Sequence, residues 1–207
     1  MKQDELHEPV RNSIGFNQRM NPQVRFDRGQ ISPSPFVRRF GPQIVAVANP
    51  KPILDVACGG GRNAVFIAHL GGTVICIDRD LARFEAERVR LADSIFAPSF
   101  SRITTLRLDL IREPWPFPPD SVGGIVNVHF QRAVLSSYII ESLSSGGCLL
   151  LETVQARGGN YLELPKAETL RLAFGKFFDL KTYRERKAGP VGNDAVTVQM
   201  FGVRHEH

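Results

Sequence analysis

The 207-residue chain has three cysteines, one tryptophan, and no apolar run near the ~20 residues that cross a bilayer as a helix. No membrane partner is therefore expected. The opening stretch MKQDELHEPVRNS lacks the apolar centre of a secretory signal. Cys58, Cys76 and Cys148 are odd in number, and each stands in or beside an apolar run. They read as buried, reduced thiols, which implies a cytoplasmic setting. No Cys/His group has metal-ligand spacing. Also missing are a lysine block and the aromatic–basic interleaving of RNA-binding modules. The net charge of +5 comes mostly from arginines spread along the chain. It suits a solvated surface or a small anionic substrate, with nucleic acid as the lesser alternative. What remains is ordinary for a globular protein: 43% apolar and 23% charged residues, enough for one domain with an extension.

The most informative stretch is Ile53 to Asp78, ILDVACGGGRNAVFIAHLGGTVICID. Ile53, Leu54 and Val56 predict a strand. Gly59, Gly60 and Gly61 predict a turn that lets a ligand approach the backbone. Val65, Phe66, Ala68 and Leu70 mark a helix over Arg62 to Leu70. Gly71-Gly72 stops it, and Thr73 to Ile77 predicts a second strand ending in Asp78. Strand, glycine turn and helix N-terminus together form a nucleotide cradle of backbone N–H groups. Gly59, Gly61 and Ala64 fit the loose G-x-G-x-x-G/A pattern of dinucleotide sites. Asp55 discriminates between cofactors. A carboxylate at the top of the first strand repels a pyrophosphate and attracts an ammonium group. The bland alternative is a glycine turn with two surface aspartates and no ligand.

Asp55, Gly59 and Gly61 form a D-x-x-x-G-x-G signature. It closely resembles that of class I S-adenosylmethionine-dependent methyltransferases, and the resemblance spans about residues 50–205. It implies an α/β fold, doubly wound and Rossmann-like, with a seven-stranded sheet of order 3-2-1-4-5-7-6. The last strand is antiparallel, and helices cover both faces. It implies S-adenosyl-L-methionine held by Asp55, Cys58, Gly59, Gly61, Arg62, Asp78, Arg79, Asp109, Leu110 and Asn127. Asp78 would serve the ribose hydroxyls, and Asp109-Leu110 the adenine. Ser144 to Thr153, SSGGCLLLET, resembles the family's L-x-P-G-G-x-L-x-x-E with serine for proline. Arg62-Asn63 after the glycines, and Asn160 to Leu164 before a helix, resemble the TehB-like (tellurite-resistance and thiopurine-type) branch, whose substrates are small. Arg62 would then hold the cofactor carboxylate or an anionic substrate, or else is a surface arginine. Arg132 and Arg157 are further candidates on that face. Asn127-Val128-His129-Phe130 replaces the N-P-P-Y or D-P-P-Y of amino-adenine and glutamine methyltransferases, and no P-C motif of cytosine methyltransferases is present.

Along the chain, residues 1–32 read as a flexible arm or lid, with Phe16, Met20 and Phe26 as isolated apolar anchors. Residues 33–207 read as a single domain. Phe36 to Ala48 predicts a helix that Gly41-Pro42 splits. Asp80 is the expected N-cap of a helix over Leu81 to Ala92. Strands are expected at Ile103 to Leu108, Ile125 to Val128 and Cys148 to Thr153. An antiparallel pair is expected at Phe178 to Arg184 and Ala195 to Val203. Helices are expected at Arg132 to Leu143 and Lys166 to Phe174, about six in all. Trp115 and Phe117 should pack under the sheet edge. His129 lies where the fourth strand ends and is the candidate general base, or else a residue that shapes the pocket. These features point to in-line methyl transfer to a small molecule. The rivals are an RNA or protein methyltransferase and a non-catalytic cofactor-binding subunit. A nicotinamide oxidoreductase is disfavoured by Asp55 and by the lack of a substrate domain. Oligomeric state stays open.

Overall fold

A computed structural model describes residues 31–153 and 163–206. The expected arm up to residue 30, and the loop containing Arg157 and Asn160 to Leu162, lie outside the described residues. The first helix, α1 (Pro35–Ala48), is capped by Ser34, whose Oγ accepts from Phe36 N at 3.1 Å. Pro35 sits in the first turn, where a missing N–H costs nothing. The expected split does not occur: α1 runs through Gly41-Pro42. Val37, Phe40 and Ile44 bury one side of it, and that packing outweighs the hydrogen bond Pro42 removes. Gly41 lets α1 close on α2 (Arg62–His69), because a Cβ there would lie 2.9 Å from the Phe66 ring.

The sheet contains β1 (Ile53–Val56), β2 (Val74–Asp78), β3 (Ile103–Arg107), β4 (Val122–Val128), β5 (Leu143–Glu152), β6 (Phe178–Lys187) and β7 (Val196–Arg204). Their order is β3-β2-β1-β4-β5-β7-β6. Neighbouring pairs from β3 to β5 run parallel, and β7 is antiparallel to both β5 and β6. β1 and β4 are buried on both faces, as a central parallel strand must be. One face packs on α1, α2 and Phe84 of α3 (Ala82–Arg90). The other packs on α4 (Leu135–Ser142) and α5 (Thr169–Phe174). Trp115 lies on that second face, edge-on to Phe117 at 5.3 Å and stacked on Tyr138 at 6.1 Å.

Several boundaries depart from expectation, each for a tertiary reason. Gly123-Gly124 belong to β4 rather than to the loop before it. A Cβ on Gly123 would fall 2.3 Å from the Ala48 carbonyl oxygen, so α1 ends against the strand only because the residue is glycine. β5 starts at Leu143 rather than Cys148, and Ser144 to Gly147 form a bulged part of it that slips five residues against two of β4. Leu81, not Asp80, is the cap of α3, although the Asp80 carboxylate accepts from Ala82 N at 3.0 Å. α4 and α5 start three residues later than expected, and β6 runs three residues longer. Five α-helices and one 3-10 turn (Ala97–Arg102) occur among the described residues.

All three cysteines are free and buried. Burial pushes the Cys148 thiol up to about 12. A hydrogen bond with Cys58, together with burial, raises that of Cys76. The folded protein is therefore expected to resist iodoacetamide at pH 7.5 and to take up three labels once unfolded in denaturant, counted by mass spectrometry. Among the described residues, no helix is long and apolar enough to cross a membrane, and no His/Cys/Asp/Glu group could hold a metal ion.

Candidate active site

Sequence order reverses direction between β1 and β4: β2 and β3 lie to one side, β5, β7 and β6 to the other. Ligands of doubly wound sheets bind outside the carboxyl ends of the strands at such a point. Two non-glycine residues there have left-handed backbones: Ala57 just after β1 (φ 55°) and His129 just after β4 (φ 69°). That conformation is uncommon for any residue with a Cβ, and it clusters at functional sites.

After β1, Gly59 (φ 56°) and Gly61 (φ 73°) carry the turn into α2. The two glycines are required for different reasons. A Cβ on Gly61 would lie 2.4 Å from the Phe84 ring, so Gly61 allows α3 to pack beneath the turn. A Cβ on Gly59 would meet no atom within 4 Å, so Gly59 faces open space.

Asp55 is 1% exposed and lies beneath the turn, where Oδ2 accepts from Ala64 N at 3.1 Å. Burial pushes its carboxyl up to about 7, against the opposing pull of the Ala64 hydrogen bond and the Arg62 charge. Asp55 thus ties the first turn of α2 to β1. Asp78 closes the turn from β2: Oδ2 accepts from Gly59 N at 2.8 Å and Oδ1 from Asp80 N at 3.1 Å. Each oxygen keeps a lone pair for another donor. Cys58 is buried in the turn, and Arg62 is exposed at the start of α2.

Arg79 is exposed, and its carbonyl accepts from Arg107 Nε at 3.1 Å. Asp109 follows β3, with its Oδ1 bound to Ile111 N at 3.0 Å, and Leu110 is buried beside it. At the end of β4, Asn127 is 1% exposed, flanked in register by Val56 and Leu151. Neither its Nδ2 nor its Oδ1 has a hydrogen-bond partner. A buried carboxamide without partners is costly and marks a place where a polar group is wanted. His129 is exposed, with its backbone N donating to the Glu152 carbonyl at 2.8 Å. Partial burial, and then the Arg62 charge, hold its imidazole below the ordinary histidine value, while Glu152 opposes them. Arg132 lies over the Phe130 ring, 5.3 Å from its centroid, and 3.6 Å from Glu163.

Sequence reasoning missed the polar group beside these residues. Glu152, 5% exposed at the end of β5, accepts from Gln199 Nε2 at 2.7 Å and from the Ser34 hydroxyl. Ser34 N in turn donates to Asn63 Oδ1 at 3.0 Å, so Asn63 joins the start of α2 to the cap of α1. A carboxylate closing the apolar run Cys148 to Leu151 was the signal available for Glu152. A cavity of about 310 Å³ opens at the opposite end of β1 and β2, beside Lys51 and Arg102. Its lining holds no carboxylate, histidine or cysteine.

The chain has the methyltransferase Rossmann-like fold. The glycopeptide N-methyltransferase MtfA complexed with S-adenosyl-L-homocysteine superposes with a TM-score of 0.54 at 18% identity, covering 81% of this chain and 88% of that one. Geranyl diphosphate C-methyltransferase from Streptomyces coelicolor A3(2) gives 0.59 at 14% identity, covering 80% and 77%. The tRNA (m1A58) methyltransferase from Aquifex aeolicus gives 0.55 at 12%, covering 88% and 74%. Neither a family model nor a curated protein sequence matches the chain.

Proposed function

We propose that the protein is a class I methyltransferase that uses S-adenosyl-L-methionine to methylate a small-molecule acceptor. The observation that carries this reading is a glycine turn facing open space at Gly59, at the switch point of a methyltransferase-type sheet. Its support is the bound S-adenosyl-L-homocysteine in the glycopeptide and geranyl diphosphate enzymes of the same fold. The unpartnered Asn127 amide and the spare lone pairs of Asp78 fit a cofactor rich in donors and acceptors. Asp78 would receive the ribose hydroxyls, Asp109 and Leu110 would border the base, and Asn127 would lie by the reacting end. The cofactor supplies an electrophilic methyl group, so the chain's task is to align an acceptor and exclude water. Arg62, on the rim directly after the glycines, supports the TehB-like branch and its small substrates. Buried thiols support a cytoplasmic setting.

His129, held neutral at physiological pH, takes the acceptor's proton in this reading. With its pKa below the ordinary histidine value, activity should be flat above about pH 6.5 and fall in more acidic buffer as the ring protonates. His129→Ala should lose that acidic limb and about 100-fold in kcat. A wild-type rate at every pH would remove the base role. The function itself is tested with methyl-labelled S-adenosylmethionine and extract separated into small-molecule, RNA and protein fractions. Label is expected in the first fraction. Label confined to RNA or protein would replace the acceptor class, and none in any fraction would favour a non-catalytic subunit.

A further inference from the structure

We propose that the cavity at the ends of β5, β6 and β7 is the acceptor subsite, and that its acceptor carries a carboxylate or phosphoryl group bound by Arg184 and Arg186. The inference rests on the methyltransferase reading. The cavity, about 230 Å³, is lined by Glu152, Thr153, Arg184, Arg186, Thr197 and Gln199. Its lining spans three adjacent strands in register: Glu152 faces Gln199, which faces Arg184, and Thr197 faces Arg186. Arg184 and Arg186 alternate with Glu185 and so share one face of β6, roughly 7 Å apart along the strand.

Arg184 and Arg186 are exposed, so solvent screens their mutual repulsion, and an anion placed between the two guanidinium groups is favoured by both. Elsewhere on β6, Lys181 pairs with Asp179, and Glu185 accepts from the Tyr183 hydroxyl and from Glu168 N. Neither Arg184 nor Arg186 pairs with a carboxylate among the described residues. Glu152 makes no ion pair with either arginine; its two oxygens accept from Gln199 and Ser34. The lining therefore carries two cations against one engaged carboxylate, and forked donors suit a planar carboxylate or a phosphoryl group.

Hydrogen bonds link one wall of the cavity to the start of α2 and to the end of β4. The Glu152 carbonyl holds His129 N, and Ser34 links the Glu152 side chain to Asn63 at the start of α2. Arg62 and Glu152 both act on the His129 ring. An acceptor anchored by its anionic end at Arg184 and Arg186 thus presents its other end beside His129, where the methyl is expected.

The test is calorimetric titration of the full chain, saturated with S-adenosylhomocysteine, with inorganic phosphate and separately with benzoate at constant ionic strength. At least one anion should bind, with phosphate preference indicating a phosphoryl acceptor and benzoate preference a carboxylate. The double variant Arg184→Gln/Arg186→Gln should weaken that binding by roughly tenfold or more and leave S-adenosylhomocysteine affinity and Tm unchanged. Arg184→Lys/Arg186→Lys, keeping charge without the fork, should retain part of it. The proposal is overturned if neither anion binds, if the glutamine variant binds as wild type does, or if the anion competes with S-adenosylhomocysteine. Failure of the wild type to bind S-adenosylhomocysteine in its own titration would instead sink the methyltransferase reading.

Discussion

Gly59→Ala should weaken cofactor binding far more than it weakens the fold, whereas Gly61→Ala should cost stability first. Both residues have positive φ, so alanine at either one costs about 1–2 kcal/mol of backbone strain. They differ in what the new methyl meets. At Gly59 it meets no protein atom within 4 Å and projects into the space assigned to the cofactor. At Gly61 it meets the Phe84 ring at 2.4 and 2.6 Å, against one of the largest fully buried side chains. Repacking Phe84 adds about 1–3 kcal/mol, enough with the strain to remove much of a typical domain's stability. Denaturant unfolding of the two variants, with S-adenosylhomocysteine titrations on whatever folds, separates the roles. Gly59→Ala is expected to unfold within about 2 kcal/mol of wild type and to bind at least 100-fold more weakly. Normal binding by Gly59→Ala would move the ligand away from this turn.

The second large effect concerns Asp55 and reverses the usual pH behaviour of a carboxylate. Its folded pKa of about 7 lies well above the unfolded value near 3.9. Between those two pH values the folded state holds a proton that the unfolded state has released. Stability from this group is therefore complete below about pH 4 and is lost as pH rises through about 7, a loss on the order of a few kcal/mol. Asp55→Asn keeps an oxygen for Ala64 N and removes the titration. The ligand-free variant is expected to be more stable than wild type at pH 8, about equal at pH 4, and flatter in Tm between them. Wild-type unfolding that strengthened from pH 4 to 7 in step with Asp55, with no change in the variant, would contradict the buried placement.

The turn and its two strands were legible in sequence because their signals are local. Apolar runs, three glycines and a closing aspartate all act within Ile53 to Asp78, and the sheet order followed from the resemblance they support. The misread places depend on distant residues. Gly123 looks like a turn glycine until Ala48 is laid against it, and Gly41-Pro42 looks like a break until Phe40 and Ile44 are seen anchoring the helix. The spacing that singled out Asp55 beside the glycine turn does not record that it is buried and holds Ala64 N. The hydrogen bond from Ser34 to Glu152 joins residues 118 positions apart, a separation no local pattern records. Arg184 closes the expected strand Phe178 to Arg184 and Arg186 lies beyond it, so no local pattern pairs them. Only the register of β5, β7 and β6 puts them around a cavity with Glu152 and Gln199.

Calorimetric titration of the wild-type chain with S-adenosylhomocysteine, with NAD as the control ligand, tests the central claim most directly. The predicted result is micromolar, 1:1 binding of S-adenosylhomocysteine and no response to NAD. Binding of NAD with comparable affinity, or no binding of S-adenosylhomocysteine by correctly folded protein, would contradict it.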